Sequence, residues 1–107
     1  MSTFQATPQS DLDGRPVLGV KGEIDLASAQ ALVEAAEAFA AANPGEPVRI
    51  DLSDTTFMDS TGLGALINIR NGALERGGEL EVTGRSRAVE RAFELAGLTD
   101  VFGPKGE

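Results

Sequence analysis

Val48-Arg49-Ile50-Asp51-Leu52, followed after four polar residues by Phe57-Met58-Asp59-Ser60-Thr61-Gly62-Leu63-Gly64, is the stretch on which the fold turns. The first run alternates apolar and polar side chains, the period of a half-buried strand. Beyond the second, Leu63, Leu66, Ile67 and Leu74 recur at helical spacing, so a strand should feed a helix through a small polar turn. Ser60 then sits at the helix start. A serine there can cap the helix by accepting a backbone N–H, and the same position favours an anion such as a phosphate. Gly62 and Gly64 each cost the first turn about 1 kcal/mol relative to alanine, which requires a local reason.

Outward from this stretch, the chain reads as alternating short strands and helices. Phe4 to Thr7 is a weak first strand, and Pro8 to Pro16 is turn-rich, with Asp13-Gly14 as its strongest signal. Val17 to Ile24 forms a second strand, and these two should pair as an antiparallel hairpin. Asp25 or Ser28 can cap the next helix, with Asp25 preferred, and Ala27 to Ala42 places Leu32, Val33, Ala36, Phe39 and Ala40 on one face. Asn43-Pro44-Gly45-Glu46-Pro47 stops that helix. After the second helix, Gly77-Gly78 precedes a fourth strand at Glu79 to Thr83. Ser86 is the cap of a third helix carrying Val89, Phe93 and Ala96, which Gly97 ends. Leu98, Val101 and Phe102 should dock the tail, and Gly103 to Glu107 should be mobile.

The order β-β-α-β-α-β-α predicts an α/β fold. Its sheet would be mixed, of about four strands, an N-terminal hairpin and then parallel strands. Because the third strand has a polar second side, helices should pack on one face only. Ser60 would lie at the C-terminal end of the third strand, the rim where open α/β sheets place their sites, and Asp25 should reach the same rim.

The 107 residues are 41% hydrophobic, enough for one core and a single domain spanning 1–107. A formal net charge of −8 repels phosphate backbones and anionic lipid, so neither nucleic acid nor a membrane is an expected partner; a protein with a basic face fits better. With no cysteine and no histidine, disulfides, thiolate chemistry and the usual metal ligands are excluded. Asp25, Asp54 and Asp59 lack the dense oxygen spacing of a hard-cation loop, so no metal is expected. The N-terminus has no leader pattern and no run reaches membrane-span length, which predicts a cytoplasmic protein.

Enzyme motifs fail at the same turn. A P-loop needs a lysine after its glycines, and none follows Gly62-Leu63-Gly64. A nucleophile elbow needs glycine where Met58 stands, and a general base the chain lacks. The residues alone therefore leave Ser60 as either a helix cap or a phosphate-bearing site.

The octapeptide Phe57 to Gly64, with Gly22-Glu23-Ile24-Asp25 upstream and Gly77-Gly78 and Gly97-Leu98 in register downstream, resembles the STAS family over nearly the whole chain. That family joins bacterial anti-sigma factor antagonists and sulfate transporters. The resemblance implies a STAS-like fold and no enzyme activity. It also implies an antagonist that binds an anti-sigma factor serine kinase and so frees a sigma factor. Its phosphorylatable serine is the one directly after the aspartate, here Ser60, with Thr61 the less favoured acceptor. Phosphorylation would break the complex and a serine phosphatase would restore it. Asp25, Asp59, Thr61, Gly62, Leu63 and Gly64 would form the surrounding partner-binding surface. Apart from the resemblance, an apolar residue of the second helix such as Ile69 could anchor the partner or else form a half-buried flank of that helix. ATP would belong to the kinase, so no cofactor is implied. The alternative within the same fold is a STAS-like subunit of a lipid-transport ABC complex or of a stress-sensing scaffold.

Overall fold

The computed structural model describes residues 3–102. The expected mobility of Gly103 to Glu107 concerns residues outside that range. Four strands, β1 (Gln5–Ser10), β2 (Pro16–Ile24), β3 (Val48–Met58) and β4 (Leu80–Arg85), form one sheet in the order β1-β2-β3-β4. β1 pairs antiparallel with β2, and β2, β3 and β4 run parallel. Three helices follow the last three strands: α1 (Ala29–Ala42), α2 (Ser60–Glu75) and α3 (Arg87–Ala96). This is the mixed sheet and element order that the periodicities predict.

Even-numbered positions carry the core. Leu18, Val20 and Ile24 of β2, Val48, Ile50 and Leu52 of β3, and Leu80 and Val82 of β4 are buried in one cluster with Leu32, Phe39, Leu66, Val89 and Phe93 of the helices. The opposite side of β3 carries Arg49 and Asp51. Arg49 is nonetheless buried, with Nη1 donating to Glu46 Oε1 at 3.0 Å and to the Pro16 carbonyl at 3.3 Å, and Glu81 lying 3.4 Å from Nε. A guanidinium with two carboxylates and a carbonyl is tolerated where an unpaired one would not be.

β1 runs on to Ser10, through part of the segment expected to turn. Pro8 sits opposite Leu18 on this edge strand, a position where a proline needs no outward N–H. The turn itself is closed by Asp11, whose carboxylate accepts the N–H groups of Asp13 and Arg15. The Arg15 backbone N–H, helped by that of Asp13 and by the Arg15 guanidinium, holds the Asp11 carboxyl below its usual range.

β3 extends six residues past Leu52, where its alternation breaks. Gly19 pairs with Asp51 but Lys21 with Asp54, and Gly22 pairs with Thr55 but Glu23 with Phe57. Each shift inserts one extra β3 residue, so the buried positions step by three, from Leu52 to Thr55 to Met58. A reading based on period two stops at the first of them.

The tail closes the other edge. Gly97 takes a left-handed φ of 71°, turning the chain back so that the Leu98 N–H reaches the Phe93 carbonyl at 2.8 Å. Phe102 is buried, its ring 5.0 Å from that of Phe93, and its carbonyl accepts the Val82 N–H at 3.2 Å on the free edge of β4. Val101, expected to dock with it, stays 36% exposed, and Ala96 faces solvent.

Candidate functional site

The site forms where β2 and β3 end side by side. Asp59 N–H donates to the Ile24 carbonyl at 3.4 Å, tying the last turn of β3 to the residue before Asp25. The expected meeting of Asp25 and Ser60 at one rim follows from this pairing of Ile24 with Met58.

Asp59, not Ser60, caps α2. It has extended backbone geometry, its side chain accepts the Gly62 N–H at 3.0 Å, and its carbonyl accepts that of Leu63 at 3.0 Å. Ser60 is the first helical residue, exposed, and no hydrogen bond among the described residues engages its hydroxyl. The correction has a simple cause. The aspartate and the serine are both good caps, but a carboxylate accepts N–H groups more strongly and complements the positive helix end. Thr61 is half-buried in the next position.

Gly62 answers the question of why a helix start carries glycine. A Cβ there would lie 2.8 Å from the Ile24 carbonyl oxygen, 2.9 Å from Ile24 Cγ2 and 3.0 Å from Met58 Cγ. The missing side chain lets α2 start against the end of β2. Gly62→Ala should lower unfolding free energy by about 1–3 kcal/mol, as overpacking of a tight site does; urea denaturation showing an unchanged midpoint would refute the packing account. Gly64 is different, since a Cβ there would meet nothing within 4 Å.

The buried face of α2 is only in part the one expected: Leu66 is fully buried as predicted, but the face is centred elsewhere. Gly62, Ala65, Leu66, Ile69 and Ala73 face the core, so Ile69, at 5% exposure, is unavailable as a partner anchor. Leu63 and Ile67 are only partly buried and Leu74 is 49% exposed. Gly62, Ala65 and Ala73 share the inner face with Leu66 and Ile69. Leu63, Ile67 and Leu74 were turned to a flank that begins at Ser60.

Two exposed apolar residues at this rim had no role in the sequence reading beyond their position. Leu26, just after Asp25, is 81% exposed, and Phe57, three before Ser60, is 47% exposed. Phe57 is outward because of the second register shift, which no periodicity predicts. Asp25, Asp54 and Asp59 do not converge: no group of three or more potential metal ligands occurs among the described residues. Among the same residues, no helix is long and apolar enough to cross a membrane.

A family model described as "Mlab, STAS domain" matches residues 9–103. The chain belongs to the STAS domain family. Among curated relatives of this STAS domain, the anti-sigma-B factor antagonist of Listeria monocytogenes is 39% identical over 83 residues, covering 78% of this chain and 72% of the relative. That of Bacillus subtilis is 36% identical over 85 residues, covering 79% and 76%. The crystal structure of an anti-sigma factor antagonist from Mycobacterium paratuberculosis superposes with a TM-score of 0.77 at 34% identity, covering 97% of this chain and 86% of that one. The unphosphorylated form of the antagonist SpoIIAA, at 16% identity and a TM-score of 0.73 over 96% and 89% of the two chains, shares the fold. The two curated relatives and the Mycobacterium paratuberculosis structure are each named as anti-sigma factor antagonists.

Proposed function

We propose that this STAS domain is an anti-sigma factor antagonist switched by phosphorylation at Ser60. Unphosphorylated, it binds an anti-sigma factor serine kinase and so releases a sigma factor; phosphorylated, it lets go, and a serine phosphatase resets it. The observation that carries the reading is the free, exposed Ser60 hydroxyl at the first position of α2, left available because Asp59 does the capping. The antagonist relatives support the same role.

A phosphate on Ser60 brings about −1.5 to −2 charges to a helix N-terminus, where backbone N–H groups and the helix dipole accept them, so the fold persists. The partner sees a different surface. Asp25 and Asp59 already make this rim negative, and a phosphate packed beside them against a protein face adds repulsion and desolvation cost. Around Ser60, the half-exposed Leu63 and Ile67 with Leu26 and Phe57 supply apolar contact area, while the space above Gly64 lets a partner approach the α2 backbone.

Gly64→Ala is therefore expected to split stability from binding. With no clash in the chain, it should stabilise α2 by up to about 1 kcal/mol. Affinity for the anti-sigma factor should fall, because the added methyl occupies the approach. Thermal denaturation and titration calorimetry on the same sample check both, and unchanged affinity would remove Gly64 from the surface.

The test of the function is intact mass after incubation with ATP and each anti-sigma kinase of the source genome, alongside Ser60→Ala, with capture of each form. One phosphate that vanishes in Ser60→Ala, and weaker capture once it is added, is the expected result. No phosphate and no capture by any kinase would reject the switch. Co-purification with an ABC ATPase would favour the transport-subunit alternative.

A further inference from the structure

Ser28 occupies the N-cap position of α1, where a serine hydroxyl ordinarily accepts an N–H from the first helical turn, yet it makes no such bond. Its hydroxyl points back toward β2. It accepts the Asp25 N–H at 3.0 Å and donates to the Glu23 carbonyl at 2.8 Å, with Asp25 Oδ1 3.2 Å away. Asp25 Oδ1 in turn accepts the Ala27 N–H at 3.0 Å. The helix start is served by backbone alone: the Asp25 carbonyl accepts from Ser28 and Ala29 at 3.1 and 2.8 Å. At 3% exposure, Ser28 is buried beneath the turn it closes, while Leu26 above it is 81% exposed.

A good capping residue has thus been withdrawn from its helix and committed to the shape of a five-residue rim turn. The bonds hold the Asp25 backbone and one oxygen of its carboxylate, and they bracket Leu26 between the tied residues Asp25 and Ala27. We propose that Ser28 is a positioning residue for partner recognition, holding the Asp25 carboxylate and the Leu26 side chain in the pose that an anti-sigma factor reads beside Ser60. This rests on the function proposed above. Ser28 touches no partner itself and acts through Asp25 and Leu26.

A buried serine could matter for folding alone, so the test needs readouts that folding does not move. Full-length Ser28→Ala, Ser28→Thr, Asp25→Ala and the Asp25→Ala/Ser28→Ala double variant would be titrated with whichever anti-sigma factor of the source genome captures the wild-type chain. Ser28→Ala should weaken binding roughly tenfold, equal to about 1.4 kcal/mol. Ser28→Thr, which keeps the hydroxyl, should restore affinity to within about twofold. On the Asp25→Ala background, Ser28→Ala should cost less than it does alone, since two residues acting through one contact are not additive. Independently of any partner, amide exchange followed by NMR should speed up at Asp25 and Ala27 in Ser28→Ala. If Ser28→Ala does not fold, Ser28→Cys keeps the volume with weaker hydrogen bonding and takes its place. Unchanged exchange at both amides, or an equal loss of affinity with and without Asp25, overturns the proposal. Failure of the wild-type chain itself to bind any anti-sigma factor overturns the function on which it rests, and is told apart because no variant is involved.

Discussion

Ser60→Asp is expected to weaken binding to the anti-sigma factor by at least about 100-fold, equal to about 2.7 kcal/mol, with no loss of fold stability. The two halves follow from different physics. Inside the chain, a carboxylate at the first position of α2 faces the positive end of the helix, worth about 0.3–1 kcal/mol in its favour. At the complex, the same carboxylate joins Asp25 and Asp59 at a rim that the partner must cover, and a charge buried there without a partner costs several kcal/mol. Ser60→Ala should accept no phosphate, having lost the acceptor hydroxyl, and should keep full affinity, because that hydroxyl makes no bond among the described residues. Calorimetric titration and thermal melts of the two variants side by side measure both effects. Binding by Ser60→Asp at wild-type strength would remove Ser60 from the interface.

Phe93→Ala should destabilise the domain by about 3–5 kcal/mol, the range for truncating a buried aromatic residue. Against a total of about 5–15 kcal/mol for a small domain, that is a large share. Phe93 is fully buried, stacks on Phe102, and lies beneath the Arg85 guanidinium, 4.9 Å from its ring centroid. The Arg85 side chain is itself nearly inaccessible, donating to the Thr99 carbonyl at 2.9 Å and lying 3.5 Å from Glu90. Removing the ring leaves a cavity, loosens the tail that covers the β4 edge, and takes the apolar floor from a buried cation. A fall in melting temperature of roughly 15–30 °C corresponds to that loss. The rim around Ser60 is built from other elements, so the remaining folded fraction should bind its partner normally. A melting temperature within a few degrees of wild type would show that the tail and core do not depend on this ring.

The same residues show how far a sequence can be read. Helix starts at Ser86 and stops at Gly97 were legible because each depends on a hydroxyl or a positive φ at one position: Ser86 accepts the Val89 N–H at 3.2 Å and Gly97 is left-handed. At Asp59-Ser60 the cap was read one residue too late, at Ser60, since both side chains can cap and only the path of β3 into α2 decides which one reaches the Gly62 N–H. Likewise α1 begins at Ala29 rather than Ala27, because Ser28 was drawn into the β2 turn. Ile69 was misplaced for a third reason: the inward face of α2 runs through Gly62, Ala65, Ile69 and Ala73, and an apolar count that passes over glycine and alanine does not trace it.

What the sequence determined by itself is the order of elements, the parallel core of the sheet, the acidic surface and the position of Ser60 at a strand-to-helix turn. Each of these rests on periodicity, turn chemistry or charge, which act over a few residues. Tertiary structure alone decided that β3 continues through two register shifts to Met58, that Phe57 and Leu26 face outward at the rim, and that the Ser60 hydroxyl is free while Ser28 is spoken for. Those outcomes depend on which neighbour a strand end or hydroxyl meets across the fold, and such meetings are set by the packing of residues distant in the chain.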